Sequence, residues 1–184
     1  MQRDAVWQSS KAIAPIYNFD PVLMLALFEQ ESVDPHDPTI YRERAAALEE
    51  GYYLNYTEPL ILCTTNEVLL AASYGLPQMM GLSLKEVGYF DWWFNQQPPI
   101  TQQFLGDPMS EIAVPKAINE FQMHPEWQVE RGCQYMTKKR AIAHGDDMMM
   151  LRYWNGDVKG LKRYGESVLA RAINLRKIYA PGTT

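Results

Sequence analysis

The sequence predicts a mainly α-helical domain, and three features of the chain lead to that class. An almost continuous apolar run over residues 22–28 follows an Asp-Pro pair, which is typical of the start of a buried helix. Apolar residues return at helical spacing over 110–123 and 125–145. No segment alternates apolar and polar residues for long enough to indicate a large sheet, although a small β-hairpin fits residues 52–63.

The first predicted helix covers about residues 20–33. Asp20 is the expected N-cap and Pro21 the first helical residue, where a missing N–H costs nothing. The Asp34-Pro35 pair ends the helix, because a residue before proline avoids the α conformation. The run in between is apolar on nearly every face, and we therefore expect this helix to be central and buried.

Capping and breaking residues predict the later elements. A helix is expected over 39–56. A capping box at Thr64–Glu67 predicts a second helix, which leads into residues 68–75. A capping box at Ser83–Glu86 predicts a third helix, which passes through Tyr89. The remaining expectations are breaks at 95–100 and Asp107-Pro108, a helix with Pro115 near its first turn, a helix from Pro125 to Gly145, a cap at Asp146 or Asp147, and helices over 148–154 and 158–179.

Composition indicates one globular domain. The 184 residues are 47% apolar and 12% aromatic, which is enough to bury a substantial core. We expect residues 1–17 to form an N-terminal arm that packs on a domain covering 18–184. No run approaches the ~20 apolar residues of a membrane span, and the N-terminus lacks the continuous apolar core of a secretion signal. The sequence therefore predicts neither membrane insertion nor a signal peptide.

Charge and the metal-binding residue types argue against several functions. The net charge of −5 argues against nucleic acid as a partner, since proteins that bind it usually carry a basic surface. Cys63 and Cys133 are expected to be free buried thiols, because neither has a second cysteine at a metal or redox spacing. His36, His124 and His144 are too widely spaced for a metal motif. The sequence therefore predicts no metal site and no cofactor.

The strongest functional candidate is a carboxylate at the end of the first helix, in the motif FEQES over 28–32. Glu31 falls in the last turn, where the negative end of the helix dipole disfavours its ionised form. Partial burial acts in the same direction, so we expect a raised pKa, as suits a general acid. Glu29 projects about 200° around the helix from Glu31 and is expected to tolerate glutamine. The plainer alternative is that both glutamates are solvated.

Two further segments accompany Glu31. The glycine-bounded turn ASYGLPQMMG over 72–81 offers Gln78 and Met80 for the wall of a groove. The segment YWNGD over 153–157 carries two aromatic rings at a predicted helix end, which Asn155 and the following glycine would cap in the left-handed conformation. The plainer interpretation of these rings is a core stripe at helical spacing.

Together these segments resemble the soluble lytic transglycosylase family, which is related to goose lysozyme. In that family the catalytic glutamate is followed by serine, as Glu31 is by Ser32. GLPQMM over 75–80 is similar to the family turn GLMQxM, and YWNGD is similar to AYNxG, with tryptophan at the tyrosine position. The likeness covers about residues 18–178. Because Glu31 and Gln78 are 47 positions apart, it points to the transglycosylase domains of bacteriophages.

The resemblance implies a lysozyme-like helical fold with a substrate groove. It also implies that the substrate is the glycan strand of peptidoglycan, cut between N-acetylmuramic acid and N-acetylglucosamine. Glu31 would protonate the leaving oxygen and then deprotonate the muramic 6-hydroxyl, giving a 1,6-anhydro product, while Tyr153 or Trp154 approaches it. The substrate-binding residues that the resemblance implies are Ser32, Ser73, Tyr74, Gly75, Gln78, Met80, Tyr153, Trp154 and Asn155.

The likeness to bacteriophage proteins implies synthesis in the host cytoplasm and action on the cell wall, in the periplasm or from the virion, with other virion proteins as further partners. Two alternatives stay open. One is a hydrolytic lysozyme on the same fold, which needs a second carboxylate. The candidates for it are Asp34, Asp37, Glu43 and Glu50. The other is a non-catalytic virion or scaffold protein, which Pro77 and Trp154 favour because they depart from the family pattern.

Overall fold

The structure is a computed structural model that describes residues 3–32, 47–48, 69–70, 72–75, 77–155 and 163–181. In these ranges the chain is mainly helical with one small antiparallel sheet, so the predicted mainly α class is confirmed. The helices are α1 (Arg3–Ile13), α2 (Pro21–Ser32), α3 (Gly81–Glu86), α4 (Tyr89–Asn95), α5 (Pro99–Leu105), α6 (Ala113–Met123), α7 (Pro125–Ile142), α8 (Asp147–Trp154) and α9 (Arg163–Tyr179). A 3₁₀ helix covers Ala14–Tyr17, and the strands are β1 (Ala47–Leu48), β2 (Ala72–Tyr74) and β3 (Met79–Met80). None of the described helices has both the length and the apolar character needed to cross a membrane.

The chain divides into two compact units. Unit 1 comprises Met1–Arg42 and Pro125–Thr184, and unit 2 comprises Glu43–His124. Helix α1 and the 3₁₀ helix belong to unit 1, where α1 packs against α2 and α7, and the predicted division into an arm over 1–17 and a domain over 18–184 stays a prediction. Val6 and Ala14 are fully buried there.

Helix α2 forms the centre of unit 1, as its apolar sequence predicts. The Asp20 side chain accepts a hydrogen bond of 2.9 Å from the Val22 N–H, and Pro21 is the first helical residue, so the predicted cap is confirmed. The side chains from Val22 to Phe28 are all buried. A helix without a polar face needs neighbours on several sides, and α1, the 3₁₀ helix and α9 supply them.

Helices α7 and α8 begin and end close to the positions that local rules predict. Pro125 opens α7, and Asp146 caps α8 by accepting a hydrogen bond of 2.9 Å from the Met149 N–H. Helix α8 ends at Trp154, but Asn155 has φ −78° and ψ 5°, so the predicted left-handed cap is wrong at this residue. Gly156 lies outside the described residues.

The single described cysteine, Cys133, lies on the buried side of α7. It is a free thiol with no exposed surface, as predicted. Burial raises the pKa of the Cys133 thiol to about 12, and the charge of Glu130 acts in the same direction. The thiol is therefore protonated and unreactive at neutral pH. Cys63 lies outside the described residues.

The sheet of unit 2 differs from the sequence prediction. Strand β2 pairs antiparallel with β1 and with β3, with Ser73 opposite Met80. The predicted helix over 39–56 is therefore wrong at Ala47–Leu48, and the predicted helix over 68–75 is wrong at Ala72–Tyr74. The rest of 39–56 and the predicted hairpin over 52–63 lie outside the described residues. The reason lies in the turn between β2 and β3. Its residues Gly75 and Gln78 have φ of 68° and 47°, which reverses the chain and leaves β2 beside β3.

The helices of unit 2 surround an aromatic core. Helix α3 starts at Gly81, so Ser83 is buried inside it, and the predicted capping box at Ser83–Glu86 is wrong. Gly88, with φ 70°, separates α3 from α4. The Tyr89 hydroxyl donates a hydrogen bond of 2.8 Å to the Ala117 carbonyl oxygen, and the Trp93 indole N–H donates one of 2.7 Å to Glu120. These bonds attach α4 to α6.

Replacing Gly81 and Gly132 by alanine should affect the free energy of unfolding in different ways. A Cβ atom at Gly81 would lie 2.4 Å from the Leu69 carbonyl oxygen and 2.8 Å from the Leu70 Cα. Because these are backbone atoms, Gly81→Ala should lower the free energy of unfolding by about 1–3 kcal/mol. A Cβ atom at Gly132 would make ordinary contacts of 3.4–3.5 Å with the Phe28 ring. The better helix propensity of alanine should then leave stability unchanged or raise it by up to about 1 kcal/mol.

Urea denaturation followed by circular dichroism measures both variants of this pair. Equal losses in Gly81→Ala and Gly132→Ala would contradict the packing described here. Full stability of Gly81→Ala would contradict it as well, because no side-chain rotation can relieve a clash with backbone atoms.

Candidate functional site

The centre of the candidate site is the Glu31 carboxyl group in unit 1. Glu31 lies half-buried in the last turn of α2, behind a run of buried apolar residues. Its Oε1 accepts a hydrogen bond from the hydroxyl of Tyr164, which lies 133 positions later in the first turn of α9. The fold therefore brings this acid to the end of a buried helix and holds it with a side chain from a second helix.

Tyr164 is a site residue that the sequence analysis missed. The signal that could have found it is the apolar spacing of α9, where Val168, Ala172 and Leu175 are buried. These residues follow Tyr164 at i+4, i+8 and i+11, which places all four on one face of the helix. Helix α9 packs against α2 and α8. Tyr164 is thus the polar residue at the N-terminal end of the buried apolar face of α9.

The environment of Tyr164 makes it a hydrogen-bond donor over a wide range of pH. Desolvation raises the pKa of Tyr164 far above its usual value, and the negative charge of Glu31 and the hydrogen bond to it raise this pKa further. The tyrosine therefore stays protonated at neutral pH and donates to Oε1 of Glu31. A donor on one oxygen fixes the plane of the carboxyl group, and so also the direction of Oε2.

Three side chains of α9 contact three consecutive residues of α2. We call Tyr164, Ser167 and Arg171 the α9 stripe. Ser167 donates a hydrogen bond of 2.8 Å to the Gln30 side-chain oxygen, and Arg171 Nη1 lies 3.3 Å from Glu29 Oε2. With the bond from Tyr164 to Glu31, these contacts run antiparallel along the two helices. The last turn of α2 is therefore held at three successive positions.

Glu29 is a buried charge, in contrast to the alternative in which both glutamates are solvated. It is 3% exposed and forms an ion pair with Arg171. This burial and this ion pair favour a structural role for Glu29. The expectation that Glu29 tolerates glutamine stays a prediction. Glu31 is half-buried, so it too differs from a fully solvated residue.

The aromatic residues at the end of α8 take positions in unit 1 that only partly match their predicted roles. The Trp154 ring packs edge-on against the Tyr135 ring, with 5.5 Å between centroids, as in the core-stripe interpretation. Tyr153 is half-buried and Asn155 is exposed. The sequence left open whether Tyr153 or Trp154 approaches Glu31, and the hydroxyl that the structure brings there belongs to Tyr164.

The turn residues predicted to contact sugar lie in unit 2. Ser73 and Tyr74 are 4% and 2% exposed, and the Tyr74 hydroxyl donates a hydrogen bond of 2.8 Å to the Leu69 carbonyl oxygen. Burial raises the pKa of Tyr74 to about 12. These positions favour a structural role for both side chains, and their predicted sugar contacts find no support in this burial.

Gln78 stabilises its own turn. Its side-chain amide donates a hydrogen bond of 2.7 Å to the carbonyl oxygen of Gly75, and its backbone N–H donates another of 3.2 Å to the same atom. Met80, in β3, is half-buried. The approach of Gln78 and Met80 to Glu31 stays a prediction, as does the role of Ser32, the last residue of α2.

Comparisons with known proteins supply no relative for this site. No protein-family model matches the sequence, and no curated protein and no solved structure matches it at a significant level. Within the described ranges, no three His, Cys, Asp or Glu side chains are grouped so that they could hold a metal ion. The chemistry of the site is therefore argued from Glu31, Tyr164 and the side chains around them.

Replacing Glu31 by glutamine should make Tyr164 ionise at a lower pH. Glutamine carries no negative charge, so the tyrosinate form is no longer repelled, while the larger effect of desolvation stays. The pKa of Tyr164 should therefore fall but stay above that of an exposed tyrosine. The measurement is ¹³Cζ NMR of labelled tyrosines against pH, with Tyr164 assigned by its absence in Tyr164→Phe. A Tyr164 ¹³Cζ resonance that is the same at neutral pH in the wild type and in Glu31→Gln would contradict the contact.

Proposed function

We propose that this chain is a peptidoglycan lytic transglycosylase with a lysozyme-like fold, in which Glu31 is the catalytic acid and base. The observation that supports the proposal most directly is the hydrogen bond between the Tyr164 hydroxyl and the half-buried Glu31 carboxyl group. A positioned acid of this kind is the single protein group that the family mechanism requires. The motifs that resemble the family supply the substrate class.

The first step of the proposed reaction is protonation of the leaving group. Neutral Glu31 donates its proton to the oxygen that joins N-acetylmuramic acid to N-acetylglucosamine. The bond between that oxygen and C1 of the muramic sugar breaks, and the electron pair stays with the oxygen of the departing alcohol. The substrate's N-acetyl group stabilises the oxocarbenium-like centre at C1. Partial removal from water favours the neutral form of a carboxyl group, which is the form this step consumes.

The second step closes the anhydro ring and restores the acid. Glu31, now a carboxylate, takes the proton of the muramic 6-hydroxyl while O6 forms a bond to C1. No water is consumed, and Glu31 is again protonated. The hydrogen bond from Tyr164 favours the ionised carboxylate, which is the form this step uses. Burial of Glu31 thus favours the protonated form used in the first step, and the hydrogen bond from Tyr164 favours the ionised form used in the second.

The proposed sugar contacts of unit 1 are the rings of Tyr153 and Trp154 at the end of α8, whose faces can stack on sugars. In unit 2, Gln78 and Met80 of the turn between β2 and β3 are proposed sugar-binding residues. Ser73 and Tyr74, which are buried in β2, would stabilise this turn without contacting the sugar. We further propose that the protein acts on the bacterial cell wall during a bacteriophage cycle, in the periplasm or from the virion.

Hydrolysis is the main competing reaction. An inverting lysozyme needs a second carboxylate about 6.5–9.5 Å from the acid, where it can activate a water molecule. The carboxylates that the sequence offers for this task are Asp34, Asp37, Glu43 and Glu50, and all four lie outside the described residues. The hydrolytic lysozyme therefore stays the alternative to the proposed transglycosylase.

Mass spectrometry of muropeptides released from purified peptidoglycan tests the proposed function. We expect fragments with 1,6-anhydro-muramic ends. Fragments with reducing ends would replace the transglycosylase by a hydrolytic lysozyme. No release over a range of pH, salt and peptidoglycan types would support a non-catalytic virion protein.

Replacing Glu31 by glutamine should abolish nearly all glycan cleavage while preserving the fold. Loss of a positioned acid–base group typically costs about 10²–10⁴-fold in rate, and here a single group would serve both steps. The matched control is Glu166→Gln, which changes an exposed carboxylate on α9 and should keep wild-type activity. Circular dichroism checks that both variants are folded. Comparable muropeptide release by the wild type and a folded Glu31→Gln would rule out the assignment.

Tyr164→Phe and Tyr153→Phe should separate the tyrosine that orients Glu31 from one that contacts sugar. Each variant removes only a hydroxyl group. Tyr164→Phe removes the donor to Glu31, so kcat should fall by up to about 100-fold, as expected when a reacting group loses its orientation. Tyr153→Phe should act mainly on KM. A loss of kcat confined to Tyr153→Phe would show that Tyr153 is the tyrosine that serves the acid.

A further inference from the structure

The contacts between α2 and α9 constrain more than the position of Glu31. The α9 stripe lies on one side of its helix, because positions 164, 167 and 171 follow the spacing of a single helix face. Its partners Glu29, Gln30 and Glu31 are consecutive and span about 200° around α2. Contacts spread over so wide an arc fix the rotation of α2 about its own axis.

Glu29 is the most deeply buried residue in these contacts. Glu29 is 3% exposed, and Nε of Arg171 is buried with no hydrogen-bond partner among the described residues. A rotation of α2 that moved Glu31 away from Tyr164 would also separate Glu29 from Arg171. The Glu29 carboxylate, 3% exposed, would then lie in a poorly solvated place without this counter-ion, which is strongly unfavourable, whereas Arg171, 35% exposed, would keep its contact with water. Burial of Glu29 therefore favours the rotational setting of the last turn at which the pair forms.

A second ion pair between the same helices provides a natural comparison. Asp20 and Arg176 pair at the other end of α2, where the two side chains are 35% and 39% exposed. Water can solvate both charges there, whereas the Glu29 carboxylate of the other pair is 3% exposed, so the Asp20–Arg176 pair constrains rotation more weakly. It also lies about 16 Å from Glu31 along the helix axis.

We propose that Glu29 and Arg171 are positioning residues for the candidate acid, and that their buried ion pair sets the rotation of α2 at which Tyr164 orients the Glu31 carboxyl group. This role rests on the proposed transglycosylase function for its effect on rate. Its structural part, the setting of the contact between Tyr164 and Glu31, can be measured without activity.

The test separates positioning from stability by replacing both charges together. A buried ion pair exchanged for apolar side chains of similar size often leaves a protein equally stable, whereas removal of one partner does not. Glu29→Met/Arg171→Met should therefore fold and melt near the wild-type temperature. With rotation no longer fixed, kcat for muropeptide release should fall by about 100-fold, while KM changes little. Arg176→Met is the control and should keep the wild-type kcat.

The ¹³Cζ resonance of Tyr164 gives the readout that does not depend on activity. In the double methionine variant it should move toward its position in Glu31→Gln, and in Arg176→Met it should stay in place. If the double variant does not fold, Arg171→Lys replaces it. This variant keeps the charge but not the reach of the guanidinium group, so it should shift the same resonance and lower kcat.

A folded variant of the buried pair that keeps both the wild-type kcat and the wild-type Tyr164 resonance would overturn the positioning role. If the wild type releases no muropeptides, the proposed function fails. The resonance in the variants still decides whether the pair sets the contact between Tyr164 and Glu31.

Discussion

The burial of α2 is the constraint on which the rest of unit 1 depends. Its side chains from Val22 to Phe28 are buried, so the helix must be enclosed by neighbours on several sides. Helices α1 and α9 and the 3₁₀ helix supply this enclosure, and Gly132 of α7 leaves room for the Phe28 ring. Because α2 is enclosed, the polar side chains of its last turn are partly removed from water and need hydrogen-bond or ion-pair partners within the protein. The α9 stripe provides them.

The candidate acid is thus a consequence of how the core is built. A carboxyl group at the end of a buried helix is partly removed from water, and the nearest donor on α9 is the Tyr164 hydroxyl. Partial burial favours the neutral carboxyl group, while a donated hydrogen bond favours the ionised one. In the proposed reaction Glu31 alternates between acid and base, so each of these two effects would favour the form that one of the two steps uses.

Local rules in the sequence predicted much of the helical framework, since the relevant interactions span only a few residues. The cap at Asp20, the first residue of α7 at Pro125 and the cap at Asp146 all depend on neighbours along the chain. Strand β2 was missed because its pairing with β3 depends on left-handed residues in the turn, which override a helical pattern. Tyr164 was missed for a different reason. Its partner is 133 positions away, and only tertiary packing brings the two together.

The central claim is that one carboxyl group performs both proton transfers and that water takes no part in the reaction. Digestion of peptidoglycan in ¹⁸O-labelled water, followed by mass spectrometry of the released sugar ends, tests this claim directly. The account predicts anhydro ends that carry no label, because the muramic 6-hydroxyl supplies the oxygen that bonds to C1. Muramic ends that carry ¹⁸O at C1 would contradict it, because they would show that water attacked the sugar.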